Sequence, residues 1–202
     1  VTIEGVMEIK QGKLRGYDSY GMLCSGVELG LNEDLYPGAG YNGLLVLPED
    51  AEVGADVKPI LGMDDWLFDI AITANRPDCQ SIYGIAREVA AVLGKELKVP
   101  ALDYTETDVK KDEFKVNVEA ADICPRYIGH YIYDVKMGES PAWMRRRLAL
   151  VGISSISNVV DITNFVLKEL GQPMHAFDYN YLEGNQINVR RANDGEKIVT
   201  LD

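Results

Sequence analysis

Residues 66–93 read WLFDIAITANRPDCQSIYGIAREVAAVL, and the two halves of this stretch obey different periods. Trp66, Phe68, Ile70 and Ile72 alternate with Leu67, Asp69, Ala71 and Thr73, the period of two that marks a strand. Pro77 ends that run because it has no N–H for a ladder, and Asp78 stands where a side-chain oxygen would cap a helix. From Cys79 to Leu93, Ile82, Ile85, Ala86, Val89 and Val92 or Leu93 recur at helical spacing, with Gly94 as the C-terminal stop. A strand followed at once by a helix, in a chain that mixes both patterns throughout, predicts an α+β fold.

Working outward, residues 1–36 hold short apolar pieces between Gly12, Gly16, Gly21, Gly26 and Gly30, which reads as short strands and turns. Gly43–Leu47 reads as a buried strand closed by Pro48. Downstream the chain turns polar between Lys95 and Glu113, the best candidate boundary. Strands are predicted at Phe114–Val118, Tyr127–Val135, Gln186–Arg190 and Lys197–Leu201. Ser140-Pro141 predicts a helix start, with Ser as cap and Pro in the first turn, running to about Leu150 before Gly152. Asn158–Leu170 is the most amphipathic stretch, with Val159, Ile162, Val166 and Leu170 along one face and Gly171 as the stop. The expected division is 1–95, a linker at 96–112, and 113–202. The chain opens on Val1 and stops at Asp202 inside an alternating run, so the expectation is a piece of a longer polypeptide.

Of the 202 residues, 47% are apolar and 26% charged, values of a globular protein with a core rather than a disordered chain. No apolar run approaches the roughly 20 residues of a membrane helix, and no signal-like segment opens the chain. No membrane partner is expected, and the expected location is cytoplasmic. The net charge of −12 excludes wrapping nucleic acid by bulk charge. Any RNA contact must be local, at Arg145-Arg146-Arg147 or Arg190-Arg191, although solvated faces are the plainer reading of both. Cys24, Cys79 and Cys124 are too few and too scattered for a disulfide framework or a zinc site, so neither is expected.

Gly38-Ala39-Gly40-Tyr41-Asn42-Gly43 spells a dinucleotide-binding string. That site needs a strand before it and a helix after it; here a turn precedes and a strand-like run follows, so it reads as a glycine-rich loop. Cys24 and Cys79 read as packed thiols, although Cys79 at a helix start would be open to dipole activation. Arg76 is expected to pair with Asp78 or to reach a phosphate. His130 reads as a strand residue. His175, in the loop Gly171–Asp178 with Asp178 three residues on, could orient or deprotonate water or bind a ribose or phosphate; a structural histidine is the plainer alternative.

Several strings together resemble the β-chain family of the bacterial phenylalanine–tRNA synthetases. They are Lys13–Gly16, Ser19–Ser25 followed by Glu28-Leu29-Gly30, Thr73–Cys79, Gly84–Glu88, Cys124–Tyr127, Asn158–Asn164 and the Gly171–Asp178 loop, in the family's order. The resemblance implies that residues 1 to about 31 are the end of an OB-type tRNA-binding insertion. It likewise implies that about 43–95 are a small α/β subdomain, and that 113–202 are the first part of the B3/B4 editing domain. It implies partnership with the family's α chain, which carries synthesis, and with phenylalanine tRNA. It implies ATP and Mg for the whole enzyme and no cofactor in this stretch. His175 matches the histidine of the family's editing pocket. The family arginine of the G-I-R-P-I segment falls at Ser154, in Gly152–Ile156, which puts substrate clamping in question because a planar cation is lost. The acid that recognises the tyrosine hydroxyl would fall after Asp202. Inactivity of the isolated stretch is expected. Two other readings stay open: a freestanding hydrolase that edits tRNA in trans, and a non-catalytic tRNA-binding or scaffold module.

Overall fold

A computed structural model describes residues 2–3, 7–31, 43–106 and 114–199. It contains helices and short strands in small two-stranded sheets, an α+β chain. Its contacts divide it into one unit of residues 1–95 and 138–174 and a second of 96–137 and 175–202.

In the first unit, β1 (Thr2–Ile3) pairs antiparallel with β2 (Met7–Glu8). The hairpin of β3 (Gly12–Leu14) and β4 (Tyr17–Ser19) closes through Arg15 and Gly16, both at positive φ (51° and 89°). Two central residues at positive φ are what a tight hairpin turn of this hand requires. Ser25 and Glu28 then form a reciprocal cap: the Ser25 amide donates to Glu28 Oε2 at 2.7 Å, and the Glu28 amide donates to Ser25 Oγ at 3.3 Å. The short helix α1 (Val57–Leu61) is capped by Asp56 and brings Leu61 against Leu31, with Leu29, Leu45, Leu47 and Val57 around them.

Helix α2 spans Ile82–Leu93, one turn later than its sequence suggested. Pro77–Gln80 form a separate 3-10 turn, and Ser81 is the cap, its Oγ accepting from the Gly84 amide at 3.0 Å. Asp78 is drawn instead to Arg76, which takes both carboxylate oxygens in a bidentate pairing of two ionised groups. Gly94 closes α2 as expected: its amide and that of Lys95 reach back to Ala91 and Ala90. Ser81→Ala is expected to destabilise the first unit by about 1 kcal/mol, the usual worth of such a cap, read from urea unfolding midpoints.

Helices α3 (Ala142–Leu150) and α4 (Asn158–Leu170) complete this unit; α4 packs against α2 and α3. Gly152 and Ile153 close α3 with amides to Ala149 and Leu148, and Gly171 ends α4 at φ 76°. Ser140 does not cap α3; its hydroxyl is buried and committed to Asp161. The inward face of α4 also differs from expectation. Ile162 and Leu170 of the apolar stripe are exposed, whereas Asp161 is fully buried and Phe165 meets Trp143 edge-on at 5.4 Å.

In the second unit, β5 (Lys115–Val118) and β6 (Gln186–Val189) pair in parallel, Lys115 opposite Gln186 and Val118 opposite Val189. Asn117 Nδ2 donates to Asn188 Oδ1 at 2.8 Å across the pair. Tyr179 packs edge-on against Tyr131 (5.1 Å) and Phe114 (6.3 Å), and a Cβ on Gly129 would meet the Phe114 ring at 2.8 Å.

Four expected strands are absent from the described residues. Gly43–Leu47 makes one bridge, Leu44 to Ser25. Trp66–Thr73, Tyr127–Val135 and the described part of Lys197–Leu201 are irregular. An alternating pattern yields a strand only when a neighbour supplies a ladder of hydrogen bonds; Gly43–Leu47 has only the single bridge to the Cys24–Ser25 segment, and the other three runs pair with no described strand. His130 is therefore an exposed irregular residue rather than a strand position. Residues 38–42 of the glycine-rich string lie outside the described residues, as do 200–202. No described helix is long and apolar enough to cross a membrane.

Candidate functional site

The loop that carries Ser154 is held by Asp161. Ser140 Oγ donates to Asp161 Oδ2, as does Ser155 Oγ, and the Ile156 amide donates to Oδ1 at 2.9 Å. Burial alone would raise the Asp161 pKa; the hydroxyls of Ser140 and Ser155 and the amides of Ile156 and Ser157 outweigh it and hold the carboxyl below its usual range. Asp161 thereby ties three segments together: the Gly138–Pro141 approach to α3, the Ile153–Ser157 loop and the first turn of α4. Ser154 sits exposed on that loop between residues whose positions are fixed.

Sequence reading missed this hub for a geometrical reason. At 100° per residue, Asp161 lies roughly 200° around α4 from Val159 and so looks solvent-facing. The signal available was two serines, Ser155 and Ser157, immediately before an acid in a helix first turn. Short polar side chains there are the natural donors and caps.

His175 belongs to the second unit, is exposed, and leans on Phe177 with ring centroids 6.2 Å apart. Asp178, its possible orienting acid, instead caps the turn Tyr179–Tyr181, accepting from the Asn180 amide at 2.9 Å and from Asn180 Nδ2 at 3.0 Å. Ser154 lies in the first unit.

The arginines offered as RNA contacts are mostly engaged. Arg190 makes two bonds to Glu196, and Arg191 makes two to Asp122. Arg190 and the Asn193 amide draw Glu196 down to about 2, and Arg191 lowers Asp122. Arg145 meets Glu139 at 3.3 Å, and Arg146 meets Asp65 at 3.6 Å with its guanidinium against Gly62. Arg147 is exposed.

Arg76 pairs with Asp78 (2.8 Å), as its sequence context suggested, and also with Glu88 (2.6 Å), which it did not. Its guanidinium draws Asp78 down to about 2 and also lowers Glu88. Asp78, Cys79 and Glu88 hold donor atoms within 4.8 Å of one another, but the guanidinium already occupies both carboxylates. Burial pushes the Cys79 thiol up, so the activated-thiolate reading of Cys79 is not favoured. Cys24 is only half-buried, its thiol 3.6 Å from the Met22 carbonyl. A shallow groove of about 320 Å³ opens beside this cluster between Pro77–Ser81 and the end of α4.

Residues 123–202 match the B3/4 domain family. Over 202 residues, 99% of its length, the chain is 50% identical to the phenylalanine–tRNA ligase beta subunit of Syntrophus aciditrophicus, of which it covers 24%. Across its full length it is 46% identical to the beta subunit of Clostridium acetobutylicum and 48% identical to that of Bacillus cereus, covering 25% of each. The chain thus spans about a quarter of the length of these relatives.

Proposed function

The chain belongs by sequence to the phenylalanine–tRNA ligase β-subunit family, and on that premise we propose that its residues are part of a larger β subunit carrying the first part of an editing domain. The observation that supports this best is the 46–50% identity along the whole chain to beta subunits four times its length. In this reading the division is 1–95 for the end of the tRNA-binding insertion and the small subdomain, 96–112 for the linker, and 113–202 for the editing part. The partners are an α chain and phenylalanine tRNA.

The chemistry follows from a selectivity problem. A pocket shaped for a phenylalanine ring rejects the same ring bearing a hydroxyl by only about 10²-fold. A second site that hydrogen-bonds the hydroxyl can select the mischarged tyrosyl ester and hydrolyse it, with the protein positioning water and stabilising charge. His175 is assigned to positioning water or the terminal ribose, a role its exposure leaves open to a ligand. Ser154 stands on the Asp161-anchored loop where the family arginine would clamp substrate, and a serine cannot replace that cation. ATP and Mg²⁺ belong to synthesis on the α chain. The one described cluster of three donors does not suit magnesium: Arg76 holds both carboxylates, and a thiol is too soft a ligand.

The test begins with the native polypeptide, detected in its source cells with an antibody against these residues. A band several times 22.4 kDa, co-purifying with a second subunit, is expected. A lone band near that mass overturns the reading in favour of a trans-acting hydrolase. In the purified native enzyme, His175→Ala is expected to slow tyrosyl-tRNA hydrolysis about tenfold, less than the 10²-fold or more of a lost general base, with phenylalanylation unchanged. Unchanged hydrolysis removes His175 from the site. Residues 1–202 alone are expected to hydrolyse no faster than buffer.

A further inference from the structure

Asp161 is a fully buried carboxylate that the chemistry above leaves without a part. Its partners are all neutral hydrogen-bond donors: the hydroxyls of Ser140 and Ser155 and the amides of Ile156 and Ser157, with no cation among the described residues. Burying a charge without a counter-ion is costly, and an apolar side chain of similar volume would fill the same space. What an apolar side chain lacks is direction. Two oxygens that draw charge-assisted bonds fix where the donor segments sit, not only that they are buried.

Those segments bracket one residue. Ile153 donates its amide to the Leu148 carbonyl at 3.0 Å, Ser155 gives its hydroxyl to Asp161, and the Ile156 amide follows at 2.9 Å. Ser157 caps α4 on the Val160 amide, and the Asn158 amide reaches the Gly138 carbonyl at 2.8 Å. Within 153–158, Ser154 alone makes neither a backbone nor a side-chain hydrogen bond to any described residue, and it is exposed. Its neighbours are fastened on both sides while its own N–H, C=O and hydroxyl stay free. A contact group supported in this way gives up little freedom on engaging a ligand. No basic residue occurs from Gly152 to Leu167, so the loop offers hydrogen bonds rather than a cation, which suits a neutral hydroxyl or carbonyl better than a phosphate.

We infer that Asp161 is a positioning residue for tyrosyl-ester hydrolysis: through Ser155 and Ile156 it holds Ser154 where the Ser154 hydroxyl hydrogen-bonds a neutral oxygen of the aminoacylated tRNA end. The inference rests on the editing reading above and adds to it the residue that sets this contact. The contact is weaker than a cation's and depends more on placement, because a neutral hydrogen bond falls off steeply with distance and angle. A serine on an unfastened loop would contribute little; the same serine on a fastened one contributes in the transition state without any ordering step.

The experiment uses the native full-length polypeptide purified with its partner subunit. Steady-state hydrolysis of tyrosyl-tRNA is compared for the parent, Ser154→Ala, Asp161→Asn and the double variant. Ser155→Ala removes a single donor and completes the same cycle should the asparagine variant fail to fold. Ser154→Ala is expected to lower kcat about tenfold, the scale of one hydrogen bond, with KM changed less than about twofold. Asp161→Asn is expected to lower kcat about fivefold, and the double variant to be no slower than Ser154→Ala alone, because both changes remove one contact. Losses that multiply in the double variant overturn the inference, since Asp161 would then act on the fold at large. So does a fall in phenylalanylation in step with hydrolysis, or a Ser154→Ala enzyme as fast as the parent. A parent enzyme that does not hydrolyse tyrosyl-tRNA overturns the editing reading itself.

Discussion

Asp161→Ala is expected to destabilise the first unit by about 3 kcal/mol, the sum of several buried donors left without an acceptor at roughly 1–3 kcal/mol each with partial relaxation. The carboxylate is fully buried and accepts from two serine hydroxyls and from the backbone on the approach to α4. Alanine leaves those donors facing a small cavity with nothing to bond. Asp161→Asn keeps the shape and one acceptor oxygen, so its loss is expected to be about 1 kcal/mol, the scale of a charge-assisted bond weakened to a neutral one.

The pH dependence has a definite sign. The folded-state pKa of Asp161 lies below its ordinary value, so the stabilisation is present above about pH 4 and is lost as pH falls through the folded value. Asp78, drawn down to about 2 by Arg76, acts in the same direction over the same acid window. Both tryptophans, Trp66 and Trp143, lie in the first unit, so their fluorescence in urea reports that unit alone. Asp161→Ala should lower the urea midpoint strongly at pH 7, and by less as pH falls below the ordinary carboxylate range, where the parent progressively loses the same stabilisation. An alanine variant within 0.5 kcal/mol of the parent at pH 7 would show that water replaces the carboxylate without loss.

The helices were legible in the sequence to the extent that their signals are local. Gly94 and Gly171 stop α2 and α4 in the left-handed conformation that glycine favours. The starts were less legible because the capping groups had competing uses. Asp78 is taken by Arg76 and Ser140 by Asp161, which left Ser81 to cap α2. The strands were least legible, since pairing is a property of two segments. The strands expected at Phe114–Val118 and Gln186–Arg190 do form, as β5 and β6, but their parallel partnership across 69 and 71 positions, with Asn117 reaching Gln186 and Asn188, is not revealed by any local period. Trp66–Thr73 carries the pattern but no described neighbour. The site divides the same way. Ser154 and His175 were placed by resemblance, whereas the hub that fixes the Ser154 loop depends on a fold-level meeting of Ser140, Ser155 and Asp161.

Gly84→Ala is the second substitution with a large expected effect, and here the sign runs against helix propensity. In an open helix the exchange would stabilise by about 1 kcal/mol. At Gly84 an added Cβ would lie 1.7 Å from the Asp78 carbonyl oxygen and 2.8 Å from its carbon. The obstacle is backbone, so no side-chain rotation relieves it; either α2 or the Pro77–Gln80 turn must move. That turn carries Asp78, and its displacement pulls the carboxylate from Arg76 and strains the Ser81 cap on the Gly84 amide. The expected loss is about 3 kcal/mol, at the upper end of overpacking penalties. Gly94→Ala provides the contrast: nothing lies within 4 Å of the added Cβ, and only the φ of 60° opposes it, so about 1 kcal/mol is expected from backbone strain. If crowding against Asp78 is the cause, Gly84→Ala must exceed Gly94→Ala in tryptophan-monitored unfolding. It must also expose the Cys79 thiol, buried in that turn, to a thiol reagent under native conditions. Equal losses, or a Cys79 that stays protected, would mean that the turn absorbs the methyl without moving and that Gly84 is not required for this contact.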